Sequence, residues 1–202
     1  MNLQAAKDFI LHWLRRDLPG SLTYHSLAHT LDVYESAQEI AAQEGVNSQD
    51  QALLSTAALY HDAGFLHTYQ QHEAAGCAIV RRYLPTFGYN PDQVARICGM
   101  IMATQVPQQP QNHLEAIICD ADLYYLGRDD FFPVGRRLYR EFLQQRVVTN
   151  EEDWNRLQVR FLEAHQYFTS TATRLRADRK VAHLQQLRRI VEGYTPSLDH
   201  TI

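Results

Sequence analysis

Apolar residues recur at helical spacing along almost the whole of this chain, and no stretch reads cleanly as a strand. That pattern restricts the fold to helices packed on helices. Residues 3–17 set Leu3, Ala6, Phe9, Ile10, Trp13 and Leu14 along one stripe. Pro19-Gly20 breaks the chain, and a second helix is expected from near Ser26 to Glu44, with Gly45 as its stop. Ser48 is the expected N-cap of a third helix, with Asp50 at its positive end. This third helix carries Ala52, Leu53, Leu54, Ala57, Ala58, Leu59 and Tyr60 and is apolar nearly all round. It is therefore expected at the centre of the molecule, ending at Gly64. Further helices are expected at about 70–84, 91–103, 113–126, 131–147, 151–170 and 173–193. Val94, Ile97, Cys98, Ile101 and Met102 match the helical template in full, and Asn150 before Glu151, Glu152 and Asp153 is a strong helix start. No internal repeat or linker interrupts the series. The expected architecture is a single all-α domain over 1–194, a bundle of about eight helices, with 195–202 as a loose tail.

Composition narrows the function classes. A length of 202 residues suffices for a substantial core. The net charge of -4 and a pI near 6.2 lack the basic excess of nucleic-acid or membrane-surface proteins. No apolar run reaches 18 residues, and the start of the chain lacks the basic-then-apolar order of a signal peptide. Cys77, Cys98 and Cys119 are odd in number and lack metal-site spacing. They read as reduced, partly buried thiols, and the chain as cytoplasmic. Of the 19 basic residues 17 are arginine; arginine suits bidentate phosphate contacts, although compositional bias accounts for most of them.

The ten histidines are many for this length, and several lie in an order that carries chemistry. His25 and His29 are four apart and share a helix face. His61-Asp62 closes the apolar third helix, and Asp120 and Asp122 interrupt the apolar run Ile117 to Leu123. Imidazole and carboxylate are ligands that divalent transition ions favour, and an N/O set with open positions suits hydrolysis. The His-Asp dipeptide alone is weak, since ~0.6 are expected at random in a chain of this composition. Adjacent residues on a helix point about 100° apart, so His61 and Asp62 can share an ion only where the backbone leaves the helix. Ionisable pairs in such apolar surroundings are unfavourable unless paired or metal-bound. His12, His67, His113, His165, His183 and His200 have no such context and read as surface or boundary residues.

These residues resemble the HD-domain superfamily of metal-dependent phosphohydrolases. Tyr24-His25-x-x-x-His29 with Asp32-Val33 is similar to the opening motif, Ala58 to Gly64 to the HD motif, and Cys119 to Leu123, ending in Leu126-Gly127, to the final-aspartate motif. The resemblance spans about 22–127 and leaves the helices after 130 outside it. It implies that His29, His61, Asp62 and Asp122 hold a divalent ion (Mn, Fe, Mg, Ni or Co), with Asp120 as the competitor of Asp122 for the last place. One ion is expected rather than two. His25 matches a general acid of the related cyclic-nucleotide phosphodiesterases, set against a packing role. Asp62 is expected to take the proton of the attacking water as well as bind metal. His72, followed by Glu73, is a candidate for substrate phosphate. Arg81, Arg82 and Arg128 are candidates from their nearness to the motifs in sequence.

The implied activity is hydrolysis of a phosphate ester or anhydride of a nucleotide or another small phosphorylated metabolite. No nucleic-acid duplex or membrane partner is expected, and a homodimer is compatible with the sequence. Two rivals remain: a di-iron oxygenase on the same scaffold, and a non-catalytic metal-bound nucleotide sensor.

Overall fold

The computed structural model describes residues 1–194, so the segment 195–202, expected as a tail, lies outside the described residues. Nine α-helices follow one another without a strand among the described residues. They are α1 (Leu3–Asp17), α2 (Leu27–Gln43), α3 (Ser48–Tyr60), α4 (His72–Tyr83), α5 (Pro91–Ala103), α6 (His113–Asp122), α7 (Phe131–Gln144), α8 (Glu151–Ala164) and α9 (Ser170–Glu192). Short 3-10 turns at Ala63–Leu66, Leu84–Phe87 and Tyr124–Gly127 bend the chain between helices. No helix among the described residues is long and apolar enough to cross a membrane.

α3 is the central element, as its composition requires. Every residue from Leu53 to Tyr60 is buried, and α3 packs against α1, α2, α5 and α6. Burying Leu53, Leu54 and Leu59 contributes roughly 1.5–3 kcal/mol each. Polar groups on this helix find partners inside. The Tyr60 hydroxyl donates to the Ala6 carbonyl at 2.9 Å, and Thr56 Oγ1 lies 2.8 Å from Tyr89 Oη. The N-cap is Asn47, not Ser48: its side chain accepts from the Asp50 amide. At the other end α3 stops at Tyr60, before Gly64 is reached. Gly64 serves a different purpose, because a Cβ there would lie 1.8 Å from the His72 carbonyl oxygen. It lets the start of α4 press against the turn that carries His61 and Asp62.

Three other expected helices end early, among them the one expected at 131–147, which stops at Gln144. The segment expected at 113–126 is helical only to Asp122, and α8 stops at Ala164 rather than 170. The freed segment His165–Thr169 is a connection whose Thr169 caps α9, accepting from the Ala172 amide. A second apolar cluster, including Tyr24, Leu126, Phe131, Leu162 and Leu187, binds α7–α9 to the front of the bundle. His183 is buried in that cluster, not at the surface, and its Nδ1 lies 2.9 Å from the Leu126 carbonyl. The three cysteines are free and buried.

Candidate metal centre

Three elements bring their ends together at one point. His29 lies in the first turn of α2, His61 and Asp62 in the turn after α3, and Asp122 at the last residue of α6. Asp62 has φ -98° and ψ 6°, outside the helical region, so the backbone has left the helix where two adjacent side chains must converge. His29 Nε2 lies 3.2 Å from Asp122 Oδ1, 3.4 Å from His61 Nε2 and 3.5 Å from Asp62 Oδ2. His61 Nε2 lies 3.2 Å from Asp62 Oδ2 and 3.6 Å from Asp122 Oδ1. One donor atom each of His29, His61 and Asp122 lie within 4.8 Å of one another, and Asp62 adjoins this trio through both histidines.

This donor set fits a divalent ion. His61 Nδ1 faces the Ala58 carbonyl at 2.8 Å and donates to it, which leaves Nε2 with its lone pair toward Asp62 and Asp122. Asp62 Oδ2 is buried and has no hydrogen-bond partner, an arrangement that calls for positive charge. Neighbouring donors around an ion with bonds near 2.1 Å stand roughly 3.0–3.4 Å apart, close to the separations found. The electrostatics agree. Burial pulls the His61 imidazole down, but the adjacent Asp62 carboxylate and then Asp122 outweigh it and bring it to about 9. Burial works to raise Asp62, yet His61, His72 and His25 together hold it well below the usual carboxylate range. The cluster therefore draws positive charge, as a proton or as a cation.

Asp120 is directed elsewhere. Two positions on a helix are separated by about 200°, so Asp120 and Asp122 face opposite ways. Asp120 is fully buried and accepts from the amides of Phe168 and Thr169 at 2.9 and 2.8 Å and from Thr169 Oγ1 at 2.7 Å. Its role is to hold the α8–α9 connection, and the structure brings Asp122, not Asp120, to the cluster.

Beside the cluster stands a stack of rings. Phe65 stacks against both His25 and His72, with centroid distances of 4.4 and 3.9 Å. His72 Nε2 is 3.5 Å from Asp62 Oδ1 and 3.6 Å from Glu73 Oε1. Burial acts to lower His72, but Asp62 and Glu73 more than compensate and raise it. The His25 ring centre lies 6.0 Å from that of His29 and 6.1 Å from that of His72. Tyr24 packs on His29 at 4.6 Å and neighbours Tyr125 at 5.7 Å. Burial, with Asp122 close by, pushes both phenols up, so they remain neutral O–H donors.

The candidate arginines are not brought to the cluster. Arg81 is exposed, nine residues beyond His72, and the helical rise carries it about 14 Å along α4. Arg82 is exposed over the Tyr83 ring. Arg128 is bound by Asp32 at 2.6 Å and Asp130 at 3.0 Å, in an open cleft of about 680 Å3 that Arg176 and Arg179 also line.

Glu141 is the site residue that sequence reading missed. It comes from α7, is fully buried, and pairs its Oε1 with His25 Nδ1. Burial acts to raise its carboxyl, but hydrogen bonds from the His25 ring and from the amides of Tyr24 and His25 hold it below the usual range. A signal was present: Glu141 continues the stripe of Phe131, Val134 and Leu138, where a carboxylate is out of place unless something pairs with it.

The HD-domain family profile matches residues 26–125. Among solved structures, a protein of an uncultured Thermotogales bacterium, described as a predicted HD superfamily hydrolase, is 23% identical. Its TM-score is 0.62, and the match covers 95% of this chain and 98% of that one. Bacillus subtilis YpgQ in complex with ADP is 20% identical with a TM-score of 0.65, covering 98% of this chain and all of the other. These are likenesses of fold along the length of the chain. No curated protein sequence matches it.

Proposed function

This chain belongs to the HD-domain family, and from that premise we propose that it is a metal-dependent phosphohydrolase acting on a phosphate ester or anhydride of a nucleotide or small phosphorylated metabolite. The observation that carries this reading is the convergence of four donors from three separate elements, with Asp62 Oδ2 buried and unpartnered. His29, His61, Asp62 and Asp122 would hold the ion. A divalent ion, when bound, lowers the pKa of a coordinated water from 15.7 to about 7 and offsets charge on the phosphoryl oxygens.

The remaining work falls to the chain itself. His25, held by Glu141 and stacked on Phe65, donates a proton to the leaving oxygen. Asp62 Oδ1, on the His72 side of the cluster, accepts the proton of the attacking water. His72, whose Nε2 lies 3.5 Å from Asp62 Oδ1, offers a ring N–H donor to a phosphoryl oxygen. Phe65 and Tyr24 wall the site with apolar surface, which strengthens these interactions by keeping water out. The Bacillus subtilis relative was crystallised with ADP, which supports a nucleotide as the substrate class.

The test is elemental analysis of the purified protein beside a phosphate-ester and nucleotide panel with Mn²⁺, Mg²⁺, Ni²⁺ and Co²⁺, repeated on His61→Ala and Asp122→Ala. Both variants are expected to lose metal and activity together. Activity that survives complete metal removal sinks the proposal. Tight nucleotide binding without turnover in any metal favours a sensor, and two irons with oxygen consumption favour an oxygenase.

A further inference from the structure

We infer that Glu141 is the positioning residue of His25, fixing the tautomer and aim of its ring, so that the helices after the HD segment complete the active site. This rests on the phosphohydrolase reading above. Glu141 lies 116 residues from His25, and both lie outside residues 26–125.

The carboxylate is fully enclosed and every contact on it is a donor. Oε2 accepts from the amides of Tyr24 and His25 at 2.9 and 3.1 Å. Oε1 takes His25 Nδ1 and the Tyr69 hydroxyl, the latter at 3.3 Å. One oxygen thus holds the backbone that leads into α2, and the other holds the ring. A carboxylate accepts only, so the ring must present Nδ1–H to it. The remaining vertex, Nε2, is then the one free to meet a ligand. Phe65 on the ring face removes the remaining rotation, and the His25 side chain stays 18% exposed while Glu141 is sealed. In the reaction, a P–O bond forms to water and the bond to the leaving oxygen breaks. That oxygen keeps the electron pair and takes the proton from Nε2; the water's proton replaces it by way of Asp62 and solvent.

A merely structural Glu141 would anchor the Tyr24-His25 backbone and nothing more. Glu141→Gln separates the two roles. Its carbonyl still accepts from the backbone amides, but its NH2 group faces Nδ1 and donates to it. The proton is then displaced to Nε2 of a neutral ring, which is a poor acid.

Two measurements decide. Nitrogen-15 spectra of histidine-labelled protein are expected to show a proton on His25 Nδ1 in the wild type and not in Glu141→Gln. With Mn²⁺, turnover of phenyl phosphate, a poor leaving group, is expected to fall on the order of 10²-fold in Glu141→Gln. Turnover of 4-nitrophenyl phosphate, whose leaving group needs little protonation, is expected to fall less than about tenfold. Metal content is expected to be unchanged. Equal losses on both esters, or a wild-type His25 lacking a proton on Nδ1, overturn the inference. If the wild type hydrolyses no member of the panel, the phosphohydrolase reading fails, and the tautomer alone then decides whether Glu141 fixes the ring.

Discussion

Under the proposed function Asp62 does two things at once, and its two oxygens divide them. Oδ2 lies 3.5 and 3.2 Å from the Nε2 atoms of His29 and His61 without a hydrogen bond, while Oδ1 lies toward His72. An unpartnered buried carboxylate oxygen destabilises the fold until positive charge arrives, so metal binding and stability must be linked. Mn²⁺ at 100 times its Kd is expected to stabilise the wild type by about 2.7 kcal/mol, visible as a rise in Tm that a chelator reverses. Asp62→Asn keeps the shape but removes the charge, and its Tm is expected to respond little to Mn²⁺. An equal response in both proteins would show that the ion binds elsewhere. At this scale the candidate ligands were legible because each stands in a short motif. Glu141 was not, because its partner is far away in the chain.

Helix ends, more than helices, aim the site. α3 had to stop one residue before His61 for His61 and Asp62 to converge, and α6 had to stop at Asp122. Gly64 keeps the first of these ends in place, because any side chain there would collide with the His72 carbonyl and the Gly76 amide, 1.8 and 2.8 Å from its Cβ. Both are backbone atoms and cannot swing aside. Gly64→Ala is therefore expected to destabilise the protein by about 1–3 kcal/mol in urea unfolding and to displace His72 from Asp62. Gly20→Ala, where nothing lies within 4 Å, is expected to stay within about 0.5 kcal/mol. Similar midpoints for the two variants would refute the close-packing role of Gly64. The apolar periodicity located the helices well but misjudged their ends, since an end depends on what the next element needs to touch.

Across the whole molecule, the α7–α9 layer is fastened to the motif-bearing bundle by a few polar groups, of which Asp120 is fully buried. Asp120 grips the Phe168-Thr169 backbone, and Glu44 at the end of α2 accepts from Ser170 and Thr171 at the start of α9. Asp120→Ala strands these donors and is expected to lower stability by at least ~2 kcal/mol while metal content persists, in contrast to Asp122→Ala. Metal loss in Asp120→Ala without loss of fold would contradict that division of labour. His165 in the same layer is partly buried beside Lys180, whose ammonium donates to its carbonyl. Burial, reinforced by the Lys180 charge, lowers its imidazole to about 4. The unfolded chain takes up this proton near 6.5, the folded chain only near 4, so stability is lost as pH falls through that window. A Tm profile from pH 7 to 4 is expected to be steeper in the wild type than in His165→Gln, and parallel profiles would exclude this contribution. What the sequence by itself determined was the helical class, the centrality of α3 and the short motifs that carry the candidate ligands, because periodicity and motif are properties of near neighbours. What only the tertiary structure decided was that Asp122 and not Asp120 turns inward, that Arg81 is carried away along α4, and that Glu141 meets His25. Each of these depends on how helices distant in sequence are rotated and placed against one another, a geometry set by packing over the whole core.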